Sequence, residues 1–157
     1  MTPPWLSLLA PLPEDSVIER KPVASPELVA QGKADAVKGW ESLSVHLSAS
    51  DSGLRHVLVT IAEAGKLLSA SDHLMLHRRE NRGGAVIGVY DHESIGGRYA
   101  DDGSFHGTRW VSRTEQRDNA DEGTVVASTP STPTPADVEA LNAIVADVLR
   151  RAPARLT

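Results

Sequence analysis

The chain contains no cysteine, which excludes disulfide bonds, thiolate nucleophiles and every cysteine-ligated zinc or iron–sulfur centre. At 157 residues it needs no such staple, because a chain of this length buries roughly two thirds of the surface its unfolded form exposes. The same absence fits a reducing compartment. Basic runs are also missing. Net charge is −5, and nothing exceeds the pairs Arg20-Lys21, Arg78-Arg79 and Arg150-Arg151. The counterion-release term that drives nucleic-acid binding is therefore weak, and no nucleic acid is expected as a partner. No apolar run is long enough for a membrane span, and the start of the chain lacks the basic region of a signal peptide. These absences predict a soluble, cytoplasmic protein with no membrane partner. Arginine outnumbers lysine twelve to four, a bias of GC-rich bacterial genomes.

Catalytic signatures are absent as well. There is no Gly-x-Ser-x-Gly elbow, no His-Glu-x-x-His run and no Walker lysine. The stretch Asp118-Asn119-Ala120-Asp121-Glu122-Gly123 fails as a calcium loop because Ala120 stands at a ligand position. Gly83-Gly84, Gly96-Gly97 and Gly103 open no helix after a strand, so they fit hairpin geometry better than a phosphate cradle. No cofactor and no metal are expected.

Among the residues that are present, Pro3, Pro4, Pro11, Pro13 and Pro22 forbid a helix near the N-terminus and favour an extended arm over residues 1–24. A bare apolar tail would be sticky, so Trp5, Leu6, Leu8 and Leu9 are expected to dock on the domain or on a second subunit. Trp5, Leu8 and Leu9 are the interface candidates of this arm. Ser25-Pro26-Glu27 has the form of a helix start, and Val29, Ala36, Val37, Trp40 and Leu43 predict a helix over about residues 26–41. Leu43, Val45 and Leu47 alternate with polar residues and predict a short strand. Leu54, Val57, Leu58, Ile61, Ala64 and Leu68 form one stripe at helical spacing, which predicts a second helix capped by Ser50, Asp51 or Ser52.

Leu74-Met75-Leu76 and residues 85–90 flank Asn81-Arg82-Gly83-Gly84, the strongest hairpin signal in the chain. A third strand is expected over residues 105–113, with Phe105 and Trp110, and a short fourth over 124–127. Residues 128–135 read as a Pro/Thr linker. Thr134 as N-cap, Pro135 at the first helical position and Asp137 in the first turn then open a C-terminal helix. Its apolar face, Val138, Leu141, Val145, Val148 and Leu149, must be buried on the core or on a partner. Val138, Leu141 and Val145 are interface candidates. No internal repeat is visible. The expected fold is α+β: a small antiparallel sheet of three to four strands around the central hairpin, with two or three helices on one face. Its expected divisions are the arm 1–24, a core domain 25–128, and a linker with helix 129–157.

Four of the six histidines lie between residues 72 and 107. His73 and His77 stand four apart, the spacing for joint metal ligation on a helix. On a strand they would lie about 13 Å apart, too far to chelate one ion. Asp91-His92-Glu93 and His106 bracket a Gly-rich stretch, 94–103, expected to be a loop of the kind that carries catalytic groups. Histidine beside carboxylates can act as an oriented general base, with Arg78, Arg98, Tyr99 or Trp110 holding a ligand. Turn chemistry explains the same residues without catalysis.

Two functional readings follow. The first is a small binding or accessory module, of a regulatory or immunity type, acting through a protein partner or as a homodimer. The second is a small hydrolase, lyase or isomerase using His73, His77, His92, His106, Asp91 and Glu93. The second requires those side chains to converge in space.

Overall fold

A computed structural model of the chain describes residues 6–22, 40–49, 53–62, 65–117 and 123–153. The described strands are β1 (Glu19–Pro22), β2 (Glu41–Ala49), β3 (Gly53–Ile61), β4 (Leu67–Arg82), β5 (Ala85–Tyr99), β6 (Phe105–Arg117) and β7 (Thr124–Ser131), followed by helix α1 (Pro135–Arg151). The strands form one antiparallel sheet in sequence order, each hydrogen-bonded to the next. This overturns the expected α+β fold of three to four strands and two or three helices: there are seven strands and one helix among the described residues.

The largest error is the helix expected over 50–68. Leu54, Val57, Leu58 and Ile61 fit a helical stripe, but Arg55, Val57, Val59 and Ile61 fit a two-residue period equally well. The β-branched run Val57, Val59, Thr60 and Ile61 decides for a strand. All four positions of the alternating set are buried, and β3 turns into β4 around Gly65, at φ 81°. The helix expected over 26–41 lies mostly outside the described residues. Its last position, Glu41, already opens β2, which contains the strand expected around Leu43, Val45 and Leu47.

The hairpin at Gly83-Gly84 stands as expected, with both glycines at positive φ, 58° and 86°, as a two-residue turn demands. Its arms are far longer than the sequence suggested, 16 and 15 residues. The expected 94–103 loop is strand as far as Tyr99. Gly97 pairs with Gly107 in register, and a Cβ on Gly97 would stand 2.2 Å from the His106 carbonyl oxygen. That glycine permits close approach of two backbones and makes no turn. The third and fourth strands stand as expected but run on, and β7 takes in Ser128 to Ser131 of the expected linker.

One face of the sheet, the roofed face, carries α1 and the N-terminal arm. Leu43, Val45, Val57, Val59, Ala70 and Ile95 from the strands meet Leu141, Ile144, Val145 and Val148 of α1 and Leu12 and Ile18 of the arm in one core. Each fully buried branched side chain here contributes about 1.5–3 kcal/mol relative to exposure. Thr134 caps α1 through a reciprocal capping box with Asp137. Asp137 also accepts from Arg109 of β6 at 2.9 Å, tying the helix to the sheet.

Beneath this roof lies a fully buried ion pair. Arg55 on β3 donates to both carboxylate oxygens of Asp72 on β4, at 2.9 and 2.8 Å, and both side chains are 0% exposed. Asp72 Oδ2 also accepts the backbone N–H of Leu9 at 2.8 Å. Leu9 holds a positive φ of 65°, so the carboxylate fixes the arm at a bend that L-residues avoid. Removing one partner of such a pair strands the other charge. Asp72→Ala is therefore expected to cost about 3–5 kcal/mol in urea denaturation. Arg55→Met with Asp72→Leu should recover most of that, leaving a residue of about 1–3 kcal/mol from the orphaned Leu9 N–H. An unchanged midpoint for Asp72→Ala would contradict this account.

Candidate functional site

Side chains alternate across a strand, so register assigns every residue to the roofed face or to the opposite, open face. The two-residue turn at Gly83-Gly84 sets odd positions of β4 beside even positions of β5. His46 pairs with His56, His56 with His73, His73 with Ser94, Ser94 with Trp110, and Trp110 with Pro130. These residues form one continuous row across six strands of the open face. His92 stands one position along in the next row, opposite Met75, and His77 stands opposite Tyr90. His106 pairs with Arg98. All six histidines of the chain thus project from the open face.

Four of them touch in pairs. The rings of His46 and His56 stack with centroids 4.1 Å apart. His73 Nε2 and His92 Nδ1 lie 3.2 Å apart, within rings only 7° from parallel. His77 stacks on Tyr90 at 4.5 Å. His106 instead faces Ser104 Oγ at 2.9 Å, at the β5–β6 turn. His73 and His77 share one strand face without meeting, as strand spacing requires. No group of three or more metal-ligating side chains occurs among the described residues.

The carboxylates expected beside these imidazoles are on the other side. Asp91 and Glu93 alternate with His92 and Ser94 and therefore project from the roofed face. Asp91 accepts from Arg113 at 2.7 Å and from Arg78 at 2.6 Å, and these guanidiniums, Arg113 foremost, hold its carboxyl below its ordinary range. Glu93 lies 4.0 Å from Arg109. Arg78, a ligand-binding candidate, is committed to Asp91 and Glu80. With Arg82 and Glu115 this ion network flanks Val89, which is fully buried although it stands outside the core cluster that α1 joins. The aliphatic arginine stems can shield that valine from water.

Tyr99 is likewise on the roofed face, donating from its hydroxyl to Asn142 Oδ1 at 2.7 Å. It lines a cavity of about 390 Å³ with Leu67, Val145 and Leu149. Burial pushes its phenol up. The six expected catalytic residues therefore divide across the sheet, four imidazoles on the open face and two carboxylates on the roofed one. No histidine–carboxylate base is assembled from them.

Of the interface candidates, Leu141 and Val145 are buried in the chain's own core and Leu8 and Leu9 pack against it. Val138 is half-buried, and Trp5 lies outside the described residues. The expected docking of arm and helix is thus intramolecular for these four leucine and valine positions.

What the sequence reading missed is the segregation itself. Each acidic residue of β2–β6, namely Glu41, Asp72, Glu80, Asp91, Glu93 and Glu115, is on the roofed face by register. The open face of β2–β7 carries none. It carries Arg79 and Arg98, neither of which meets a carboxylate among the described residues, together with Trp110 and Leu54, 43% and 44% exposed. Only β1 adds an acid there, Glu19, paired with Lys21 of the same strand at 3.3 Å, and Asp102 stands at the rim beside His106.

Burial, followed by His46 and His73, lowers the pKa of His56 from its ordinary 6.5, and burial with His73 lowers His92. His56 Nε2 is buried without a hydrogen-bond partner, which disfavours its charged form. A lowered folded pKa means that the unfolded chain takes up protons first as pH falls. The contribution to stability is then complete above 6.5 and is lost as pH drops through the window between that value and the lower folded one. The melting temperature should accordingly fall between about pH 7.5 and about pH 5.5, before carboxylates protonate, and His56→Gln should flatten that fall. An equal slope in wild type and His56→Gln by circular dichroism would refute it.

Compared with protein-family models, with curated proteins and with solved structures, the chain matches none of them. Among the described residues, no helix is long and apolar enough to cross a membrane.

Proposed function

We propose that the protein is a small cytoplasmic binding module, of a regulatory or accessory kind, that engages another protein through the open face of its sheet. The observation that carries this reading is the asymmetry of the sheet. One face is roofed by α1 and the arm, while over the other no described element lies, although it presents Trp110, Leu54, Met75, Tyr90 and the histidine row. Aromatic residues, methionine and arginine, with carboxylates depleted, are the composition of interface cores. An exposed tryptophan on such a face, here one strand in from the β7 edge, is the usual energetic anchor.

A homodimer built face to face through this surface is disfavoured, because it would set Arg79, Arg98 and the histidines against themselves. Pairing through the outer edge of β7 is disfavoured as well. That edge carries Pro130, which has no N–H to give, and a register irregularity opposite Arg113 and Thr114, both devices that blunt an edge strand. A partner of different sequence fits better.

The test is capture by the immobilised chain from extracts of its source cells, with two variants. Trp110→Glu is expected to lose the retained partner by at least about tenfold, since an aromatic anchor contributes about 2 kcal/mol or more. Glu139→Lys, on the exposed side of α1, should retain it. If Trp110→Glu captures the same proteins as wild type, the open face is not the docking surface.

A further inference from the structure

We infer that the open face binds an acidic segment of its partner protein, and that protonation of the histidine row tightens the complex. This inference rests on the open face being the docking surface. Its separate support is the sorting of charge. Arg20, Arg55, Arg78, Arg82, Arg109 and Arg113 on the roofed face each meet a carboxylate of the chain, whereas Arg79 and Arg98 on the open face meet none among the described residues. Arg117, at the end of β6 on the roofed face, is the one other sheet arginine without a carboxylate among the described residues, so the open face of a chain of net charge −5 keeps two of the three unpaired sheet guanidiniums and every imidazole.

The groups that face one another there come from five strands. His46 on β2 stacks on His56 of β3, which is opposite His73 of β4. His73 meets His92 of β5, and His77 and Arg79 follow along β4 beside Tyr90 and Gly88 of β5. Arg98 on β5 is opposite His106 on β6. From beneath the sheet, Asp72 favours the charged form of His56, and Asp91 that of His92, but each is already paired to arginine. Burial, followed by the neighbouring imidazoles, opposes the charging of His56 and His92. Carboxylates laid over them would remove that resistance, so a bound acid raises the histidine pKa values and binding takes up protons. Affinity must then rise as pH falls through the histidine range.

Two permanent cations are too few for the counterion-release affinity of nucleic acid near neutrality. A lipid surface would require a broad protruding apolar patch, and here the Leu54–Met75 pair and Trp110 are set among histidines, serines and threonines. A short acidic polypeptide remains the occupant that the charge pattern fits.

The experiment is fluorescence anisotropy of labelled deca-aspartate, which stays ionised throughout the range used. Binding should tighten by about tenfold or more between about pH 7.5 and about pH 5.5. His73→Asn with His92→Asn should abolish most of the pH dependence, and Arg98→Gln should weaken binding at both pH values. Because Arg98 is exposed, that variant keeps the test valid if the double histidine variant fails to fold. Arg150→Gln removes the same charge from α1 and should change nothing.

Binding that ignores pH, or that Arg150→Gln weakens as much as Arg98→Gln, overturns the inference, the latter by reducing it to net charge. Tighter binding of deca-thymidylate or of phosphatidylserine vesicles than of deca-aspartate overturns the assignment to an acidic protein. If deca-aspartate fails to bind while Trp110→Glu still abolishes partner capture, the face is a docking surface for a partner that is not acidic. If both fail, the face reading falls with the inference.

Discussion

The two-residue period of the β-strand, applied through seven strands joined in sequence order, decides nearly everything about this protein. Once the Gly83-Gly84 turn sets the register of β4 against β5, each side chain from β2 to β7 belongs to one of two faces. A slip of one residue would exchange the histidines for the carboxylates. The buried Arg55–Asp72 pair guards against such a slip on the roofed side, because moving either strand by one position would carry a charge out from under α1 and leave its partner buried alone. Asp72 also holds Leu9, so the pair couples the sheet's register to the docking of the arm. Burial of this kind contributes less to net stability than to uniqueness, and the arm's bend at Leu9 depends on it.

The consequence is a molecule with two chemically different sides. On the roofed side the charges, Arg117 at the end of β6 apart, occur as ion pairs around an aliphatic core, with the Arg78–Asp91–Arg113 network beside Val89, outside the core that α1 joins. On the open side of β2 to β7 the polar groups are hydroxyls, imidazoles, the amides of Asn81 and Gln116 and two unpaired guanidiniums, and among the larger apolar groups Leu54 stands beside Met75 while Trp110 stands apart. Charges that satisfy each other within the chain have little left for a partner, whereas those on the open side remain available. Burial, and then the imidazoles stacked beside them, makes His56 and His92 reluctant to charge, which couples pH both to stability and to anything acidic laid across them.

Some of this was legible from the residues alone. The hairpin announced itself through Asn81-Arg82-Gly83-Gly84, and α1 through Thr134, Pro135 and Asp137, because turns and caps are local chemistry. The third strand and the alternation at Leu43, Val45 and Leu47 were also readable. The helix expected over 50–68 was not separable from a strand by periodicity, since Val57 and Ile61 satisfy both periods, and the signal that could have separated them was the β-branched composition of Val57, Val59, Thr60 and Ile61. Residues 94–99 looked like a loop because Ser94, Gly96 and Gly97 are turn formers. Their role in the sheet, close approach of β5 to β6, depends on a partner strand that local sequence does not reveal. The separation of His92 from Asp91 and Glu93 could have been read from the hairpin register. The gathering of His46 and His56 with His73 could not, because it required β2 and β3 to be recognised as consecutive strands.

The central claim is that all six imidazoles share one face, and the absence of cysteine allows a direct test. A nitroxide on Ser94→Cys, the single thiol in the protein, would stand in the middle of the histidine row. At about 4.8 Å between strands and about 3.3 Å per residue, every imidazole would lie within about 15 Å of it. In proton NMR spectra, the account predicts paramagnetic loss at all six imidazole signals, strongest for His73 and His92. If His46, three strands away, or any other imidazole kept its full intensity, the common face and the reading built on it would be wrong.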